Sequence, residues 1–116
     1  MNITGMLEEA ALVSFIDIDD AQLVCGTIVK DHARRWPSGY LIRTSKVLEI
    51  EGDIVTTLNS RYKIVGGLEE VTLPWQAYHL LLDFSAKTLK SMLDGGCTIK
   101  EGMLHMPPPD DEGCVQ

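Results

Sequence analysis

No apolar run in this chain is long enough to cross a bilayer. The longest, such as Ala10 to Val13 and Leu80 to Leu82, fall far short of the ~20 residues a spanning helix needs. No basic segment precedes an apolar stretch at the amino terminus, where Glu8 and Glu9 stand instead, so no secretory signal is read and a cytoplasmic location is expected. Cysteine is scarce: Cys25, Cys97 and Cys114 show neither a C-x-x-C pair nor zinc-finger spacing, which argues against a disulfide framework and a structural zinc site. His32, His79 and His105 are scattered, with no converging ligands at metal spacing. Gly66-Gly67 and Gly95-Gly96 lack the Lys-Ser/Thr of a phosphate loop. No G-x-S-x-G elbow occurs to support a nucleophile, and Cys97 near His79 or His105 reads better as a packed thiol. Asp17-x-Asp19-Asp20 lacks the glycine and distal glutamate of a calcium loop, and helix capping explains it better. The expectation is a non-enzymatic protein with no metal and no cofactor.

Charge is present but uneven. The net charge is −7 over 116 residues. Residues 1–20 hold five acids (Glu8, Glu9, Asp17, Asp19, Asp20) and no base, whereas residues 30–63 hold seven bases against four acids. An acidic chain disfavours broad phosphate binding, so direct nucleic-acid binding is not expected. It suits docking of those acidic residues onto a basic protein surface, although the same charge also serves solubility.

The length fits one domain. We assign residues 1–106 to a single α+β domain and residues 107–116, rich in proline and acid, to a flexible tail. Thr4 to Ser14 reads as a short helix capped by Thr4, with a short strand at Phe15-Ile-Asp-Ile-Asp as the competing reading. Asp19-Asp20 reads as the cap of a second helix over Ala21–Trp36, whose apolar stripe is Leu23, Val24, Ile28, Ala33 and Trp36, stopped by Pro37-Ser-Gly39. Thr72-Leu-Pro74 opens a helix from Trp75 to Phe84, Ser85 begins another over Ala86–Leu93, and Glu101-Gly102 turns a small terminal hairpin. The expected fold class is therefore α+β: a small antiparallel sheet built on a central β-hairpin at 40–64, helices packed on one face, and a disordered acidic C-terminal tail.

That hairpin carries the site expectation. Pairing Ile50 with Ile54 across Glu51-Gly52-Asp53 places Arg43 opposite Arg61 and Ser45 opposite Asn59, with Lys63 beside them. Like charges directly opposite one another destabilise a sheet. Two guanidinium forks beside a hydroxyl and an amide suit an anion or an acidic protein loop; the plainer reading is a solvated face, each arginine bridged to an acid such as Asp31. A two-residue turn would shift the register by one. Trp36 and Trp75 are further candidates, either as partner anchors or as core residues at element ends.

Leu-Ile-Arg43-Thr-Ser-x-Val47 followed by Ile-Val-x-Thr57-x-Asn-Ser-x-Tyr62, after the segment ending Trp36-Pro-Ser-Gly, resembles a pattern in small uncharacterised proteins of bacterial phages and prophages over residues ~20–65. The resemblance implies a mobile-element origin. By analogy it suggests a modulator that binds another protein, such as an inhibitor of a bacterial defence complex of the anti-CRISPR kind, acting as monomer or homodimer. Two other classes stay open: a small anion- or nucleotide-binding protein or enzyme using Arg43 and Arg61, and a phage structural or assembly protein.

Overall fold

The computed structural model describes residues 3–32 and 34–107. In chain order they form β1 (Gly5–Phe15), β2 (Ile18–Asp31), β3 (Leu41–Arg43), β4 (Val47–Glu51), β5 (Ile54–Thr57), β6 (Arg61–Leu73), a 3-10 helix (Trp75–Leu82), α1 (Ala86–Asp94), β7 (Thr98–Lys100) and β8 (Met103–His105). β3-β2-β1-β6-β5-β4 make one mixed six-stranded sheet in which β1 and β6 run parallel; β7 and β8 form a separate hairpin. The expected small antiparallel sheet on a 40–64 hairpin, with helices packed on one face, is not what forms; strand dominates the fold. No helix among the described residues is long and apolar enough to cross a membrane.

The sheet curls on itself. β3 and β4 are its two edges, yet only Thr44-Ser45-Lys46 joins them. Consecutive Cα atoms are 3.8 Å apart, so Arg43 and Val47 can be at most about 15 Å apart. In a flat six-stranded sheet the edge strands would lie about 24 Å apart. The Leu58 N–H donates to the Lys46 carbonyl at 3.0 Å and the Asn59 N–H to Ser45 Oγ at 3.1 Å, which extends the β4–β5 hairpin past Val47 and Thr57; the curl shows in Val24, Ile28 and Ile42 packing in one cluster with Val47 and Val55. The enclosed core comprises Leu7, Ala10, Leu12, Val24, Ile28, Ile42, Val55, Tyr62 and Ile64, with Trp36, Val47 and Leu68 packed against it.

The long strands run on beyond this barrel. There the opposite face of the sheet, with Ala11, Val13, Phe15, Leu23, Cys25, Val71 and Leu73, packs on Ala77, Leu80 and Leu81 of the 3-10 helix and on Ala86 and Leu89 of α1. β1 is thus buried on both faces through Ala10-Ala11-Leu12-Val13. A strand covered on both sides reads as a continuous apolar run rather than an alternating one. This corrects the two expected amino-terminal helices. Thr4 does not cap a helix; its hydroxyl accepts the Arg61 N–H at 3.0 Å. Within β2, Leu23 and Cys25 face one core while Val24 and Ile28 face the other, which in sequence imitates a helical stripe. Asp19 and Asp20 lie on β2 and cap nothing. A bulge aligns the faces: Glu9 has φ +50°, opposite Gly66 (+85°) and Gly67 (+93°), which take the left-handed region without a Cβ penalty.

Local signals fared better. Ser85 caps α1 by accepting the Thr88 N–H at 3.2 Å, and β7 and β8 turn at Glu101-Gly102 as expected. Pro107 is described. Ala33 of the expected second helix and residues 108–116 of the expected tail lie outside the described residues.

Asp31 ties down the loop from β2 to β3. Its buried carboxylate accepts the Arg35 N–H at 2.6 Å, the Trp36 N–H at 3.2 Å and the Arg35 guanidinium at 3.2 Å, and the same guanidinium donates to Tyr62 Oη at 3.1 Å. Burial acts to raise the Asp31 pKa, but the Arg35 side-chain and backbone hydrogen bonds outweigh it and hold the carboxyl below its ordinary value. A depressed folded-state pKa adds stability that is fully present above the unfolded value of about 3.9 and disappears as pH falls through the folded value. Asp31→Ala should therefore cost about 1–3 kcal/mol at neutral pH and flatten the acid limb of the stability curve below about pH 4, as read by urea denaturation across pH.

Candidate functional site

The turn after β4 is tighter than the expected hairpin. Glu51 pairs with Ile54, Ile50 with Val55 and Glu49 with Thr56 around Gly52-Asp53, where Gly52 has φ +61°. Beside the turn the register is shifted by one from the Ile50–Ile54 pairing; an irregularity between Val47 and Glu49 restores the expected register at Val47–Thr57. More importantly, the two expected arms each break. Tyr40–Ile50 divides into β3, paired with β2, and β4, paired with β5; Ile54–Ile64 divides into β5 and β6, which pair with each other. Arg43 consequently faces Cys25 across β3–β2, and Arg61 faces Thr56 across β5–β6. Along the sheet, β2 and β1 stand between the strands that carry them. The expected Arg43–Arg61 juxtaposition does not occur.

Ser45 and Asn59 do meet, through the Asn59 N–H and Ser45 Oγ, where the β4–β5 hairpin extends past Val47 and Thr57. Lys63 lies exposed on β6 opposite Ile54. Arg61 and Asn59 line an open groove of about 420 Å³ with Thr4, Leu48, Leu58 and Ser60. Among the expected acidic residues, Glu8, Glu9, Asp19 and Asp20 are exposed. Asp17 is structural, because its Oδ1 accepts the Trp75 N–H at 3.1 Å and fixes the start of the 3-10 helix.

Arg43 is a packing residue. Its guanidinium lies 3.9 Å from the centre of the Tyr78 ring, and its Nη1 donates to the Tyr78 carbonyl. Beneath it, burial pushes the Cys25 thiol pKa up to about 12, only partly offset by the Arg43 charge, so Cys25 is an inert core thiol. Tyr78 also stacks on Trp75 (centroids 4.9 Å apart, 23° between planes), and Phe15 meets Trp75 edge-on at 5.1 Å. These rings come from β1 and the 3-10 helix, with Arg43 from β3, so no local motif announces them. They wall a pocket of about 250 Å³ whose lining includes Gln22, Leu23, Ser45 and Lys46. Trp75 remains 41% exposed there despite its size. An adjoining hollow shares Phe15, Ala21 and Gln22 and adds Asp19 and Asp20. One aromatic pocket therefore has an ammonium on one rim and carboxylates beyond the other. That combination suits an apolar anchor on a charged peptide segment. Among the described residues, no group of three or more His, Cys, Asp or Glu converges as a metal site.

Compared with protein-family models, with curated proteins and with solved structures, the chain matches none of them.

Arg43→Ala removes a cation–π stack and a charge-assisted hydrogen bond, and should destabilise the fold by about 1–3 kcal/mol. Lys63→Ala should stay within about 0.5 kcal/mol of the parent. Equal effects of the two substitutions in urea denaturation would contradict this assignment.

Proposed function

We propose that this chain is a non-enzymatic, cytoplasmic protein-binding module of phage or prophage origin that modulates a host protein complex. The supporting observation is the exposed Trp75 stacked on Tyr78 at the mouth of the aromatic pocket. Buried aromatic anchors ringed by polar groups carry most of the energy in protein interfaces. A partner segment would seat an apolar side chain against Trp75 and Phe15 and direct basic residues toward Asp19 and Asp20. Lys46 on the opposite rim would select against a segment that is basic at both ends.

The residues of the phage-protein resemblance have a separate role, in building the scaffold. Arg43 packs on Tyr78, the Thr44 hydroxyl accepts the Val24 N–H at 3.0 Å, Ser45 meets Asn59, Thr57 and Ser60 close a turn, and Tyr62 reaches Arg35. The anion- or nucleotide-binding alternative loses its premise, because its arginine pair is divided between strands that are not neighbours and Arg43 is engaged on Tyr78.

Affinity capture from a bacterial host lysate, run in parallel with the parent chain and with Trp75→Ala, tests this reading. A specific host complex should be retained by the parent and weakened at least about tenfold by the substitution, with circular dichroism unchanged. Equal retention by both proteins, or no specific protein captured, would contradict it.

A further inference from the structure

The β2–β3 ladder stops short, and where it stops it borders the aromatic pocket. β3 covers β2 only at Cys25, Gly26 and Thr27. Thr44 ends the ladder. Its N–H donates to the Val24 carbonyl at 2.9 Å, while its hydroxyl, in place of a strand carbonyl, accepts the Val24 N–H at 3.0 Å. The chain then turns away through Ser45 and Lys46 into β4. β2 itself extends from Val24 back to Ile18, paired along its other side with β1 through Leu23, Gln22 and Ile18. Successive residues of a strand direct their main-chain groups to opposite edges. Val24 and Ile28 direct theirs to the side of β3. Gln22, two residues before Val24, therefore directs its N–H and C=O to that same edge, past the end of β3. β3 does not reach them, and among the described residues no loop or side chain bonds them. The Gln22 side chain is held elsewhere, its Nε2 donating to Ser14 Oγ at 2.8 Å. Leu23 faces the 3-10 helix and Ala21 shares its face; both line the pocket with Phe15, Trp75 and Tyr78. At about 250 Å³ the pocket takes one large side chain and falls below the roughly 300–1,000 Å³ usual for a small-molecule site.

We infer that an extended segment of a partner protein binds here as an added strand, antiparallel to β2 and in line with β3. The inference rests on the protein-binding reading of the pocket and fixes how the segment lies. An unpaired edge is a template for another strand. One residue of the segment exchanges two main-chain hydrogen bonds with Gln22. Its neighbours stand opposite Ala21 and Leu23 and share their face, so the one opposite Leu23 sends an apolar side chain against Trp75 and Phe15. Main-chain bonds supply affinity in such a complex, and the alternate side chains supply selectivity. Direction follows from β3. A strand in line with it enters beside Lys46 and leaves toward Asp20 and Asp19. The charges therefore select an acidic residue before the apolar one and basic residues after it. The β2 edge of a second copy does not fit. With Gln22 set against Gln22, Asp20 of each copy would fall opposite Val24 of the other, in the place that Thr44 already fills. The occupant is a single segment that bends out before Thr44.

A displayed library of random linear peptides, selected against the parent chain, is the probe. Enriched peptides should carry an acidic, an apolar and a basic residue in that order, and should bind Trp75→Ala at least about tenfold more weakly. Gln22→Pro deletes the outward N–H and no bond of the β1 ladder, a placement that edge strands tolerate. With circular dichroism unchanged, it should weaken the same peptides at least about tenfold. Amide hydrogen exchange by NMR reads the parent itself and decides the matter even if Gln22→Pro fails to fold: the Gln22 amide should exchange freely alone and at least about tenfold more slowly with peptide bound. Peptides that require Trp75 but leave Gln22 exchange unchanged, or that carry the charges in the reverse order, would overturn strand addition and leave the pocket reading standing. No enrichment, or enrichment indifferent to Trp75→Ala, would contradict both.

Discussion

The structure depends on one short connection. Three residues, Thr44-Ser45-Lys46, join the two outermost strands of a six-stranded sheet, and no flat sheet can satisfy that tether. Curling brings Val24, Ile28 and Ile42 into one core with Val47 and Val55. It also leaves the long ends of β1, β2 and β6 projecting, with one face available for the 3-10 helix and α1. Closure thus creates two cores on opposite faces of the same strands. The aromatic pocket lies where β1 and β2 meet the 3-10 helix and the tether.

What was legible in the sequence was local. Ser85 before Ala86, the Gly95-Gly96 stop and the Glu101-Gly102 turn act over a few residues, and those elements form where expected. Leu23, Val24 and Ile28 misled because their spacing suits a helix stripe; in fact adjacent residues of β2 enter different cores. Ala10 to Val13 misled for the same reason. Period-two alternation identifies a strand with one wet face, and β1 has none through that run. At the 40–64 segment, the strand residues were visible but their partners were not. Nothing local says that Leu41–Arg43 leaves the hairpin to pair with β2.

The candidate site divides along the same line. Ser45 and Asn59 were paired correctly, because an irregularity between Val47 and Glu49 restores the expected register from the Val47–Thr57 pair onward. Arg43 and Arg61 were not, because their proximity required one uninterrupted hairpin. The apparent like-charge conflict has a simple resolution: Arg43 turns onto Tyr78, a residue 35 positions away. The Phe15–Trp75–Tyr78 cluster draws on separate segments and leaves no motif. Its only sequence signal was a tryptophan just after Pro74, at the start of a helix.

The closed sheet is the premise of every assignment made to Arg43, Lys46, Trp75 and the open edge of β2. Long-range proton contacts measured by NMR in solution test it most directly. The account predicts contacts joining Leu41–Arg43 to Cys25–Thr27, and Thr44 to Val24. Contacts placing Arg43 opposite Arg61, with Ile50 facing Ile54, would restore the uninterrupted hairpin and contradict the closed sheet.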